Sequence, residues 1–284
     1  MSAPSPVDDP DLARAAEAAL RANPARTIVF EHAGARHVAK RDAQAARGAL
    51  PALLARWLAR RVTGASLPGS AARLGAAAHG AGFEARRLQA LAAAGVRVPR
   101  LEHRGADFIV MEHCGPTVAS LLGGWDRATW RCELAGLAAD LGALHRAGQW
   151  HGGAQIKNLT RRDGQTWRID FEESFGEHVP LPAAQAFDLV LFVNSISLRG
   201  PVDEAEARWL LPALMRAYFE SNPDAQVRSV FARALPWARL AAALSAPFRH
   251  LSRGGRRRNG AARLALLAAA VQAELSRSEA SAMP

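Results

Sequence analysis

The chain reads as an α+β protein, a small strand-rich N-terminal part followed by a larger helical part. Three observations predict this. Short β-branched and aromatic runs split by turn residues concentrate before about residue 115, and apolar residues at helical spacing dominate afterwards. The 284 residues are 49% hydrophobic, enough to build a core for one large domain or two modest lobes and too apolar for a disordered chain.

Residues 1–24, rich in Ala, Pro and Asp, read as a flexible tail with at most a short helix around Asp11 to Asn23. From Thr27, TIVFEH and HVAKR flank a turn centred on Gly34, a hairpin signature whose second strand ends at Lys40. Leu50, Leu53, Leu54, Trp57, Leu58 and Val62 then recur at helical spacing with Arg56, Arg60 and Arg61 between them. This basic amphipathic helix is expected to pack on the hairpin; contact with a membrane surface is the sharper alternative. The run FEARRLQALAAAG puts Phe83, Leu88, Leu91 and Ala92 on one side of a helix, with Glu84 in its first turn and Gly95 as its stop. Two strands follow around the turn from Arg104 to Asp107, completing an N-lobe over 25–115.

The region 116–284 is expected to be the helical C-lobe. Asp126 can cap a long helix whose seam is Trp130, Leu134, Leu137, Leu141 and Leu144, ending near Gly148. Asp163-Gly164 is a strong hairpin turn between KNLT and TWRID, so Asn158 and Asp170 stand at opposite ends of one hairpin and can converge. Helices follow from Asp188, with breaks expected at Pro201, Pro223, Pro236 and Pro247.

Charge and cysteine usage narrow the function classes. The formal charge of +10 is local, because residues 225–273 hold nine arginines and no acidic residue. Aromatic residues are sparse there and no groove-reading module is evident, so nucleic acid ranks low as a partner. Arginine clusters such as Arg253, Arg256, Arg257 and Arg258 instead suit an anionic membrane surface. No stretch has the length of a membrane-spanning helix, and the acidic start lacks the order of a secretory signal, which predicts a cytoplasmic protein. Cys114 and Cys132 have neither zinc-ligand spacing nor a disulfide framework, and both are expected to be small buried residues.

The 36 basic residues comprise 34 arginines and two lysines, Lys40 and Lys157. Where charge alone was needed this chain uses arginine, so each lysine is a candidate for chemistry that wants a compact point charge on a thin stem.

VAK at Lys40, Glu84 in the next helix, HGGAQIKN at 151–158, IDFE at 169–172 and Asp188 opening a later helix resemble the ordered motif set of the protein-kinase-like superfamily. With the stretch FEARRLQALAAAGVRVPRL, the chain from Thr27 to Leu198 most resembles its small atypical members: the lipopolysaccharide core kinases, the RIO kinases and the small kinase of the KEOPS complex. The resemblance implies a two-lobed fold with a ligand cleft, using ATP and Mg2+. By it, Lys40 would bind the α- and β-phosphates and pair with Glu84. Asp170 and Asn158 would hold magnesium, and Met111, Glu112, His113 and Cys114, running on to Gly115, would form the hinge that meets adenine. His151 and Asp188 would anchor and brace the catalytic loop.

Two departures stand out. Gly153 occupies the position where such enzymes carry an aspartate that accepts the acceptor hydroxyl's proton, and the first hairpin has only Gly34 in place of a glycine-rich phosphate loop. His151 or Glu172 would then substitute as base, and Lys157, two residues past Gln155 where many kinases have lysine, would neutralise the γ-phosphate. Two functional readings follow: a phosphotransferase acting on a hydroxyl of a lipopolysaccharide-type saccharide or a protein Ser/Thr, placed peripherally at the inner membrane, or a pseudokinase that binds nucleotide or scaffolds without turnover.

Overall fold

Strands β1 (Thr27–His32) and β2 (Ala35–Arg41) are joined by Ala33 and Gly34, both at positive φ (49° and 77°). This left-handed pair matches the right-handed twist of the strands and sets the register from Thr27 opposite Lys40 to His32 opposite Ala35. The computed structural model describes residues 9–42, 60–64, 80–245 and 255–282. These divide into two units, one made of the described residues of Met1–Arg60, Ala65–Thr117 and Asn158–His178, the other of Arg61–Gly64, Val118–Lys157 and Val179–Pro284.

The first unit is built on an antiparallel sheet. β3 (Leu101–Arg104) and β4 (Phe108–Glu112) complete it in the order β1-β2-β4-β3. Side chains alternate across a strand. Ile109 and Met111 of β4 therefore join Leu88 and Leu91 of α2 (Gly80–Ala93) on one face, while Phe108 and Val110 meet Leu12, Ala16 and Leu20 of α1 (Pro10–Ala22) on the other. Each of these larger side chains contributes about 1.5–3 kcal/mol on full burial.

Within the stretch 1–24, the short helix expected around Asp11 to Asn23 is present as α1, which Asp9 caps by accepting from the Asp11 N–H at 2.9 Å and the Leu12 N–H at 3.3 Å. Its stripe at i, i+4, i+8 seats it on the sheet. The unit also extends beyond 25–115, because the hairpin β5 (Leu159–Arg162) and β6 (Gln165–Arg168) attaches to it. Thr117 bridges to Thr160, the Arg168 N–H donates to Arg97 O at 3.1 Å, and Phe171 enters the core beside α2.

The second unit is helical: α3 (Val118–Leu121), α4 (Arg127–Arg146), α5 (Leu181–Ile196), α6 (Glu204–Ser221), α7 (Ala225–Ser245) and α8 (Gly255–Ala282). Asp126 caps α4 by accepting from the Thr129 N–H at 2.8 Å, and the seam from Trp130 to Leu144 is buried. Cys132, expected inside, is exposed, since it lies two residues past Trp130 and so falls off that seam; Cys114 is buried. Pro201 and Pro223 lie between helices, whereas Pro236 sits inside α7 and does not end it.

No helix of the described residues is long and apolar enough to cross a membrane. Of the expected basic helix, 60–64 alone is described, with Val62 buried. Its remainder, Arg253, Pro247 and the side chains of Arg256, Arg257 and Arg258 lie outside the described residues.

Candidate active site

Lys40 lies opposite Thr27 on β1 and Ile109 on β4, so its side chain points to the face that α2 covers. There it is nearly fully buried, and Nζ donates to Asp170 Oδ1 at 2.5 Å while lying 2.8 Å from Glu84 Oε2 and 3.5 Å from Glu172 Oε2. Glu84 belongs to the second turn of α2, not the first, because the helix begins at Gly80. Being flanked by buried Phe83, Ala85 and Leu88, it is drawn into the core, where its carboxylate meets the ammonium.

Asp170 adopts φ 70°, a left-handed conformation that is strained for a residue with a side chain, at about 1–3 kcal/mol. Its neighbours impose it. The Ile169 N–H donates to Asn158 O at 3.0 Å, and the Phe171 N–H donates to Glu84 Oε1 at 3.2 Å, with the Phe171 ring buried. Glu84 thus fixes both Lys40 and the backbone just past Asp170. Asn158 and Asp170 do converge across the base of the β5–β6 hairpin, since both line one cavity.

Glu172 is gripped by Arg26, whose Nη1 donates to Oε1 at 3.1 Å and whose Nη2 donates to Oε2, while Arg26 Nε donates to Arg41 O at 3.3 Å. Both Glu172 oxygens are thus engaged by Arg26, and Oε2 also faces Lys40, a geometry that does not favour Glu172 as base. Sequence reasoning missed Arg26. With 34 arginines in the chain nothing marked this one, although its place at the entry to β1 was visible.

Electrostatics separates the members of this cluster. Burial opposes the Lys40 ammonium, but Glu84, then Asp170 and Glu172, outweigh it and hold its pKa well above the ordinary lysine range. Burial pushes the Glu84 carboxyl up, and attraction to Lys40 offsets this only in part. Lys40 is accordingly a permanent cation. The nearest oxygens of Glu84, Asp170 and Glu172 lie within 4.8 Å of one another. Glu84 and Glu172 already serve Lys40 and Arg26, but Asp170 lines the cavity together with Asn158, and a carboxylate beside an amide residue is a hard-oxygen set of the kind that suits magnesium.

The cavity has a volume of ≈ 280 Å³. Lys40, Asn158 and Asp170 form its polar end, and Val38, Met111 and Ile169 supply apolar wall toward the segment Met111–Gly115. That segment is tied down on both sides. The Glu112 N–H donates to Arg100 O at 3.1 Å, the His113 N–H to Arg36 O at 3.2 Å and the Gly115 N–H to His113 Nδ1 at 3.3 Å. Gly115, at φ 85°, passes so close to β5 that a Cβ there would stand 2.0 Å from Arg161 O. Burial and Glu112 push the Cys114 thiol up to about 12, so it is a neutral wall group; burial, then Arg36 and Arg162, push His113 below its usual value.

The remaining candidates belong to the helical unit. Lys157 is exposed on a short 3₁₀ turn (Ile156–Asn158). His151 is buried, with Nδ1 accepting from the Gly153 N–H at 3.1 Å. Asp188 lies in the middle of α5, not at its start, because Pro180 and Pro182 open the helix seven residues earlier than an acidic start signal suggests. From there it accepts from the backbone N–H groups of His151 at 2.6 Å and Gly152 at 2.8 Å.

No family model matches the chain, and no curated protein does. Several solved structures are similar to it. Among them is WaaP in complex with acyl carrier protein, with 20% identity and a TM-score of 0.36 over 68% of this chain and 74% of that one. Another is choline kinase from Cryptosporidium parvum Iowa II, with 10% identity and a TM-score of 0.35 over 96% of each chain.

Proposed function

We propose that the protein is a protein-kinase-like phosphotransferase that moves the γ-phosphoryl group of ATP to an acceptor hydroxyl, releasing ADP and a proton. The observation that carries this reading is the buried Lys40 ammonium bracketed by Glu84 and Asp170 at the polar end of the cavity. Lys40 would hold the α- and β-phosphates, Glu84 would keep it aimed, and Asp170 with Asn158 would hold Mg2+. A magnesium ion held by these residues would supply charge neutralisation to the nucleotide's phosphates. The Met111–Gly115 backbone would bind adenine. Lys157 would approach the γ-phosphate.

Gly153 removes the usual base, and His151, whose Nδ1 is engaged by the Gly153 N–H, is the substitute that Glu172's pairing leaves. Phosphoryl transfer depends mostly on positioning and charge, while a general base typically contributes about 10²- to 10⁴-fold, so slow turnover is expected. The acceptor would be a saccharide or protein Ser/Thr hydroxyl. The acid-free stretch 225–273 supports peripheral contact with an anionic membrane surface, hence a cytoplasmic protein working at the inner membrane.

Gly153 also favours a second reading, nucleotide binding without turnover. A thermal shift with ATP and Mg2+ tests the shared part. A hundredfold excess over Kd should stabilise by about 2.7 kcal/mol, and no shift overturns both readings. Release of labelled phosphate by wild type but not by Asp170→Ala supports the transferase; binding with no release in either supports the pseudokinase.

A further inference from the structure

Tyr218 is the chain's sole tyrosine, and it is fully buried in α6. Its hydroxyl accepts from Asn222 Nδ2 at 3.0 Å and lies 2.7 Å from His145 Nδ1 at the end of α4. With Asn222 donating, the hydroxyl proton is directed at Nδ1, so the imidazole proton belongs on Nε2. His145 Nε2 lies 3.4 Å from Asp188 Oδ2. Burial tends to raise the Asp188 carboxyl, but its contacts with His145 and His151 outweigh this and keep it below the usual range, hence ionised.

The chain of contacts ends on the segment 151–153. Asp188 accepts from the His151 and Gly152 amides, and the Gly153 N–H turns back to His151 Nδ1. Two adjacent glycines lose more conformational freedom on ordering than any other pair, so this segment needs an external brace. Gln185 steadies the approach to it, donating from Nε2 to His145 O at 2.8 Å and to Gln149 O at 3.1 Å.

We propose that Tyr218, supported by Asn222, is a positioning residue: by keeping the His145 proton on Nε2 it holds Asp188 in the orientation that fixes the backbone of His151, Gly152 and Gly153. Where the chain acts as the phosphotransferase described above, on which this functional part rests, the arrangement holds in place the backbone that carries His151, the residue that would take the acceptor's proton in the aspartate's stead.

Tyr218→Phe tests this while preserving the ring packing on His145 (5.4 Å between centroids) and Phe219 (5.0 Å). By NMR, the His151 and Gly152 amides should exchange about tenfold faster relative to core amides of Leu141 and Leu214, as expected for loss of one buried hydrogen bond. The nitrogen shifts of His145 should change from a pure Nε2–H tautomer to a mixture. Asn222→Ala should move both readouts in the same direction by less, and serves if Tyr218→Phe folds poorly. Acceleration of exchange by the same factor everywhere, or an unchanged His145 signature, overturns the proposal. ATP affinity should stay within about twofold while turnover falls about tenfold, because the network aligns the segment rather than the nucleotide pocket. If wild type binds no ATP, the phosphotransferase reading fails, and the exchange and tautomer results still decide the positioning role.

Discussion

Replacing Lys40 by methionine isolates the buried ion pair. Asp170 and Glu172 retain partial exposure, with side chains 29% and 24% accessible, and can be hydrated when the ammonium is removed. Glu84, at 2%, cannot. Breaking a buried pair by removing one partner costs about 3–5 kcal/mol, most of it the penalty of the stranded charge. The sign with pH follows. The folded Glu84 carboxyl is already raised by burial and rises further without Lys40, so the variant is most stable below the ordinary glutamate pKa and loses stability as pH climbs through the raised folded value. Each further unit of elevation adds about 1.4 kcal/mol to that loss. Urea unfolding at pH 5 and pH 8 measures it: Lys40→Met should be destabilised more at pH 8 than at pH 5. Adding Glu84→Gln should recover much of the deficit and flatten the pH dependence. A deficit under about 1 kcal/mol, or one equal at both pH values, would refute the assignment of Glu84 as the ammonium's buried counter-charge.

Gly115→Ala forces a methyl against Arg161 O in a left-handed residue, and should lower stability by about 2–3 kcal/mol while loosening the attachment of β5; a thermal midpoint within a degree of wild type would show that the backbones can separate freely. Leu12→Ala removes a buried contact of α1 and should cost about 2–5 kcal/mol, whereas a tail residue would cost nothing measurable in the same denaturant titration.

The hairpins were legible from sequence because period-two patterning and turn chemistry are local: Gly34 and Asp163-Gly164 sit where the chain reverses. Lys40 was legible for another reason, its rarity among arginines, and its pairing with Asp170 across 130 residues follows from a strand-end position recognised in a motif order. What escaped was set by tertiary packing. The Ala-rich stripe of α1 is too weakly apolar to announce burial, and it is the sheet face that gives Ala16 and Leu20 a place to go. Glu84 and Asp188 were recognised as residues but misplaced within their helices, because helix starts near Gly80 and Pro180 carry no capping side chain recorded in sequence as Ser, Thr, Asp or Asn. Arg26 and Tyr218 act through partners far along the chain, which no local pattern encodes, though a lone tyrosine was a signal available to be read.

The sheet unit is discontinuous, since Val118–Lys157 is spent on the other unit before Asn158–His178 returns to it. A growing chain emerging from the ribosome therefore has its lysine and α2 glutamate long before Phe171 can plug the sheet core or Asp170 can meet the ammonium. During that interval the nascent N-terminal segment lacks part of its core, and completion of the sheet unit waits on the docking of β5 and β6.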